Sequence, residues 1–394
     1  MLRHNLLLSA IPFALLVPAH AQAQAAPNGA STNDKAREET TAGKDIVVTA
    51  VARGRDRLDS AISTSSLGAA EILKIAPRST AEIFRNIPGI RSESSGGDGN
   101  ANISIRGLPI ASGGAKFLQL QEDGLPVLEF GDITFGNADI FLRADMNVSS
   151  VDAIRGGSAS TFSSNSPGGV INMISKTGDV PGGAIMATAG LDYGEYRLDF
   201  DYGAKLTDTL RFHIGGFYHQ GEGPRRVGYD GTKGGQIKLN VTKEFSGGYI
   251  RFYGKVLNDR SAAYLPNPVR VTGTNADPRY GNVPGFSIAR DALLSRYDTS
   301  NVTLDGQNNP VVDDIRDGQH PMVNAFGVET RFEVSGWTVT DRFRYSDISG
   351  RFISNFPSAV DGAAATARHW AARERRCAMP AAPISARRSR TRWG

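Results

Sequence analysis

From residue 182 onward, apolar and polar side chains alternate. Tyr196, Leu198, Phe200, Tyr202 and Ala204 hold one parity; Arg197, Asp199, Asp201 and Gly203 hold the other. Ile237, Leu239 and Val241 alternate with Lys238, Asn240 and Thr242, and Ile250, Phe252 and Val256 with Arg251, Tyr253 and Lys255. Further on, Val328, Phe332 and Val334 alternate with Glu329, Arg331 and Glu333. Successive side chains of a strand point to opposite faces, so this period predicts amphipathic strands. With a weaker first strand near residues 184–191, the pattern gives about seven strands ending near Tyr345. A period of two does not name the medium that the apolar face meets, which is a protein core in a sandwich and lipid in a membrane barrel.

The connections discriminate better. Tight turns are predicted at Leu206–Thr209, Phe245–Gly248 and Val334–Trp337, and they alternate with links at 192–195, 221–234 and roughly 259–319. Two of those three links are long. Short turns at one rim and longer loops at the other characterise antiparallel membrane barrels.

Residues 51–180 read differently, as a loop-rich α+β unit. Ser79–Glu82 has the form of a capping box opening a short helix, with Ile83, Phe84 and Ile87 apolar and Pro88-Gly89 ending it. Asn102–Gly107 alternates as a strand around Ile103 and Ile105. Phe117–Gln121 and Leu125–Val127 flank Asp123-Gly124, a hairpin signal. An apolar run ending at Ile154 stops at Arg155-Gly156-Gly157, and Pro167-Gly168-Gly169 turns the chain into a strand at Val170–Ser175. Glycine-rich loops at 94–101 and 111–114 lie between these elements.

Composition sharpens the picture at the two ends. The chain has 394 residues, 40% of them hydrophobic, and a mean hydropathy of −0.27, which excludes a helical membrane bundle. Its one long apolar run, Leu6–Val17, is too short to span a bilayer and reads with Arg3 and Ala19–Ala21 as a cleaved signal peptide over residues 1–21. Residues 22–44 are polar and read as a disordered tether. The net charge of +4 suggests nucleic acid only until it is located. The basic surplus sits in residues 360–394, where eight arginines face Asp361 and Glu374. The single cysteine, Cys377, lies there too, leaving no internal disulfide.

The segments "FRNIPGI", "ISIRG", "DGLP" and "VDAIRGGSAS…NSPGGVINMISK" follow one another in order. Together they resemble the plug domain of TonB-dependent outer-membrane receptors. The resemblance implies an α+β plug domain over residues 51–180, followed by an antiparallel transmembrane β-barrel, here incomplete, over 182–358. A barrel of this family has about 22 strands, whereas about eight enclose only their own side chains. The expectation is therefore a C-terminally truncated chain whose residues 359–394 are an aberrant basic tail from a frameshift or premature end; a genuine basic tail is the rival reading.

The resemblance also implies function. Asp45, Ile46, Val47, Val48, Thr49 and Ala50 read as a TonB box, a strand that adds to the inner-membrane energy transducer TonB; the plainer reading is an unpartnered first strand. The implied activity is energy-coupled uptake of a scarce nutrient chelate, most often a ferric siderophore in this family, across the outer membrane. Cobalamin, haem and a glycan stay open as ligands, and a non-transporting remnant with only its plug folded stays open as an alternative. Arg225, Arg226 and Tyr229, with Tyr264, Arg270 and Tyr280, are candidates to meet an anionic aromatic chelate, since guanidinium forks suit its oxygens and rings stack on its rings. Solvated loop charge and interfacial tyrosine are the bland reading of each. His213 and His219 share Arg211's parity and point into the lumen; about 20 Å of strand separates them, too far for one ion. No catalytic constellation, cofactor motif or paired Cys/His metal spacing is present, which argues against a secreted β-rich enzyme.

Overall fold

The computed structural model describes residues 46–47, 55–56, 63–94, 96–109, 115–129, 132–133, 136–156 and 163–356, with a few isolated positions after 361. The expected signal peptide, the tether, loop 111–114 and most of the basic tail lie outside the described residues.

Among the described residues, eleven strands and two α-helices precede residue 180. They are β1 (Ile46–Val47), β2 (Arg55–Asp56), β3 (Thr64–Gly68), α1 (Ala69–Ile75), α2 (Thr80–Phe84), β4 (Ile90–Glu93), β5 (Asn102–Ile105), β6 (Leu118–Glu122), β7 (Leu125–Pro126), β8 (Asp132–Ile133), β9 (Gly136–Asn137), β10 (Val148–Arg155) and β11 (Gly169–Ser175). Five of them form one mixed sheet in the order β3-β10-β11-β6-β7, with only the β11–β6 pair parallel. Its central strands are buried on both faces: Val151, Ala153, Ile154, Val170 and Ile171 are fully enclosed. Ile83, Phe84 and Ile87 from the α2 region complete the core with Leu118 and Leu120. Each such side chain contributes about 1.5–3 kcal/mol by leaving water.

Local chemistry explains the corners. Asp123 and Gly124 both take positive φ (53° and 82°), the two-residue turn that matches strand twist, and β6 and β7 pair across it. Gly169 has φ +154°, and a Cβ there would lie 2.2 Å from the Ile154 carbonyl oxygen, so the turn into β11 admits no side chain. Arg155 binds back to the Pro88 and Thr64 carbonyls, tying the end of β10 to β3 and to the chain after α2.

The expected capping box does not form. Ser79 is the residue before α2, but its hydroxyl pairs with Ser94 Oγ at 3.0 Å instead of capping. Glu82 accepts from the Arg78 amide at 2.8 Å and holds the Arg78 guanidinium at 3.1 Å. The α1 helix has no counterpart in the sequence reading. It is short and opens without a capping side chain at Gly68, whose amide donates to Glu71.

After the plug comes a seven-stranded antiparallel sheet: β12 (Gly182–Ala189), β13 (Glu195–Thr207), β14 (Leu210–Gly221), β15 (Thr232–Phe245), β16 (Gly248–Ser261), β21 (Gln319–Val334) and β22 (Trp337–Phe352). The sheet is open, with β12 and β22 as its edges. The long link before β21 is itself built from two hairpins, β17 (Arg270–Thr274) with β18 (Asp277–Gly281), and β19 (Ser300–Leu304) with β20 (Pro310–Asp314).

The faces of this sheet are reversed relative to a water-soluble fold. Leu198, Tyr202, Ile237, Leu239, Phe252 and Val256 are exposed, whereas Asp199, Asp201, His213, Asn240, Lys255 and Asp259 are buried. The polar parity faces the plug and the apolar parity faces outward, as for a wall in lipid. Among the described residues no helix is long and apolar enough to cross a membrane, which does not bear on a crossing by strands.

Candidate functional site

Plug and sheet meet through polar groups. Glu122, at the end of β6, receives Lys238 Nζ at 2.9 Å from β15 and Lys255 Nζ at 3.0 Å from β16. Burial alone would raise the Glu122 carboxyl, but the two ammonium groups hold it well below the usual carboxylate range. Arg344 of β22 donates to the Glu122 carbonyl at 3.2 Å and also to that of Pro126. Higher on the wall, Arg143 of the plug pairs with Asp259 at 2.6 Å, and Arg197 of β13 donates to the Ala144 carbonyl at 2.7 Å. Gln236 and Asn240 of β15 reach Asp145 and the Lys176 carbonyl at 2.7 and 2.8 Å. Lys176 in turn pairs with Asp201 at 2.7 Å.

At the rim bearing the long links, the plug loop 96–100 packs under the strand ends. Gln319, first residue of β21, donates to the Gly96 carbonyl. A Cβ on Gly97 would lie 3.0 Å from the Ala262 carbonyl and 3.8 Å from the Tyr264 ring, so the loop approaches the wall as closely as glycine permits. Asp98 stands beside His219 of β14, whose Nε2 donates to Asp259 Oδ1 at 2.7 Å. Burial pushes the Asp98 carboxyl up, and the neighbouring Asp259 and Glu195 add to that, against the pull of His219 and Arg143.

Four of the six candidate ligand residues gather at this rim. The Arg225 guanidinium lies over the Tyr264 ring at 5.7 Å and donates to the Ile288 and Asp291 carbonyls, at 2.8 and 3.1 Å. Its hydrogen bonds thus go to neutral acceptors. Arg226 is largely exposed and pairs with Asp291 at 3.3 Å. Tyr229 and Tyr264 pack with Val227, Ala262, Leu294 and Ile315 in a small apolar cluster under the loops. Both hydroxyls are buried without a hydrogen-bond partner. Burial raises both phenols, Tyr229 to about 12. Arg270 and Tyr280 stand elsewhere, exposed on the β17–β18 hairpin, on adjacent rungs of its ladder.

The expected strand at 45–50 is described only at Ile46 and Val47. It is not partnerless: Ile46 pairs with Asp56 and Val47 with Arg55 in a short antiparallel ladder. Asp45, Val48, Thr49 and Ala50 lie outside the described residues. His213 and His219 both sit buried on the plug-facing side, each against a carboxylate, Asp201 and Asp259 respectively. Sequence reasoning passed over the Glu122–Lys238–Lys255 group and the Asp98–His219–Asp259 group. Their signal was charge at the inward parity of strands, which only a known partner surface makes meaningful.

The family description TonB-dependent Receptor Plug Domain matches residues 56–170. The ferric enterobactin receptor PirA of Pseudomonas aeruginosa is 28% identical over 202 residues, covering 47% of this chain and 26% of that protein. The chain therefore spans about a quarter of that curated relative. Among solved structures, the ferric yersiniabactin uptake receptor FyuA of Yersinia pestis superposes with a TM-score of 0.52 at 17% identity, over 75% of this chain and 42% of its own. The FpvAI chain of an FpvAI–pyocin S2 complex gives 0.55 at 13% identity, over 76% and 36%. These two likenesses concern the fold. With the plug-domain match over residues 56–170, they show the architecture: a plug domain followed by an open antiparallel sheet like the barrel walls of those receptors.

Proposed function

We propose that this chain serves energy-coupled uptake of a ferric siderophore across a Gram-negative outer membrane, as a receptor without catalysis of its own. The observation that carries the reading is Arg225 stacked over Tyr264 beside the plug loop, its charge satisfied only by carbonyls. Such a guanidinium–ring pair suits an anionic, aromatic chelate. The names of the relatives, receptors for ferric enterobactin and ferric yersiniabactin, support the same ligand class. The exposed apolar parity and the 12–16-residue strands β13 to β16, β21 and β22 of the sheet suit a lipid setting, since about 9–11 residues cross a bilayer. Export would use residues 1–21.

In this reading ligand engages the rim, and residues 45–50 add as a strand to TonB. Force is then transmitted through the plug. A strand has two hydrogen-bonding edges, and the ladder with Arg55–Asp56 uses one of them.

The test is uptake of radiolabelled ferric enterobactin by cells relying on this gene, with and without deletion of Asp45–Ala50. The expected result is retained surface binding with uptake abolished, and weaker binding in Arg225→Ala. Unchanged uptake after the deletion overturns energy coupling. Uptake of cobalamin, haem or a glycan in place of the iron chelate overturns the ligand class.

A further inference from the structure

We propose that Asp98, Glu195 and His219, with Asp259 behind the imidazole and Tyr264 beside them, bind a divalent transition-metal ion that fastens the plug's outer loop to the sheet. The residues come from four separate places: the plug loop, the start of β13, the end of β14 and the end of β16. Ligand atoms of Asp98, His219 and Asp259 all lie within 4.8 Å of one another. The imidazole is addressed from both sides. Its Nε2 meets Asp259 Oδ1 at 2.7 Å, a hydrogen bond, while Nδ1 lies 3.7 Å from Glu195 Oε1 and 3.9 Å from Asp98 Oδ2.

The last two separations are too long for hydrogen bonds. They suit groups sharing an ion, because metal bonds of about 2.0–2.2 Å in tetrahedral geometry put ligand atoms roughly 3.4 Å apart. Asp259 then has the supporting part. Fixed by Arg143 at 2.6 Å, it accepts the hydrogen bond from Nε2–H and so turns the Nδ1 lone pair toward Asp98 and Glu195. His219 is 1% exposed, so the ring cannot swing away.

Charge and an orphaned hydroxyl point the same way. Three carboxylates converge, and the guanidinium paired with them is Arg143; Arg197 nearby is committed to Asp199 at 2.7 Å. Once a metal displaces the imidazole proton, the group carries two excess negative charges, which one divalent ion cancels. The Tyr264 hydroxyl is buried and lacks a hydrogen-bond partner, with Asp98 and Glu195 among its charged neighbours and Arg225 over its ring. An imidazole among carboxylates favours zinc or another transition metal over magnesium and calcium. The site needs no siderophore, so it stands apart from the uptake reading.

The test uses the full chain in detergent, stripped of metal and titrated calorimetrically with Zn²⁺, with Co²⁺ absorption as the spectroscopic check. The expected result is one Zn²⁺ per chain, not displaced by Mg²⁺, and a visible Co²⁺ band of a low-coordinate nitrogen–oxygen site. Asp98→Asn and Glu195→Gln, checked for native circular dichroism, should each weaken Zn²⁺ by at least about tenfold. Absence of stoichiometric Zn²⁺ binding by the unaltered chain overturns the proposal, as does equal affinity in both variants. If neither variant folds, the Co²⁺ spectrum of the unaltered chain decides: a purely octahedral, aquo-like spectrum overturns it.

Discussion

The carboxylate of Glu122 lies 3.0 Å from the ammonium of Lys255, although 133 residues separate them in the chain. The two belong to different layers, a plug strand and a wall strand, and Lys238 closes the group from the neighbouring strand at 2.9 Å. Three charges share one buried spot, so none can be removed cheaply.

Glu122→Gln should leave Lys255 buried without its counter-charge and Lys238 with only Asp123 at 3.9 Å, and cost about 3–5 kcal/mol. Limited proteolysis of the plug reads this directly, with cleavage between residues 51 and 180 rising steeply in the variant. A change within about 0.5 kcal/mol would mean that plug and sheet are not docked in solution as they are here.

Asp139 gives a pH dependence. Burial pushes its carboxyl up to about 6 from 3.8, against the pull of the Ala101 amide bonded to it at 2.9 Å. The folded chain therefore holds this proton more tightly than the unfolded chain. The stabilisation is complete below about pH 4 and is lost as pH rises through about 6, on the order of 3 kcal/mol. Urea midpoints across pH 4–7 should fall accordingly. Asp139→Asn, which still accepts from Ala101, should flatten that slope.

Gly178, between plug and sheet, has φ +74°, and a Cβ there would sit 2.0 Å from the Phe212 carbonyl oxygen. Gly178→Ala should cost at least about 2 kcal/mol through backbone strain and displacement of β14. Gly194→Ala is the control, since a Cβ there meets nothing within 4 Å. Thermal unfolding of the two variants should differ by several degrees.

Leu198 is half exposed on the outward face of β13. If that face meets lipid, Leu198→Lys should cost about 2–4 kcal/mol at mid-depth, read as loss from the heat-modifiable membrane fraction. In water the same change would be nearly neutral.

The sheet was legible in the sequence because each strand repeats one rule for a dozen residues. Tyr196–Ala204 and Ile237–Thr242 announce both a strand and its two faces. The plug was legible for another reason, its ordered turn motifs, of which Asp123-Gly124 and Pro167–Gly169 fold as their chemistry demands. What stayed hidden depends on contacts across the chain. Ser79 has every local feature of a helix cap, yet Ser94 takes its hydroxyl. The hairpins inside 262–318 carry no sustained alternation, and β17 and β18 are exposed throughout apart from the half-buried Gly281. At the rim, Arg225 and Tyr264 could be named as residue types, but not their stacking, which depends on two loops meeting. Asp98 and Glu195 gave no signal, because each is an ordinary acid until His219 is placed between them.

The polar parity of the sheet has a mechanical corollary. Plug and wall adhere by ion pairs and amide contacts, the kind that water can take over one at a time as they part. Withdrawing such a stopper would uncover little greasy surface, chiefly Phe217, Leu257 and Val323 on the inward parity of the wall, so the seam would hydrate and re-form. An oily seam in the same place would have held the stopper for good.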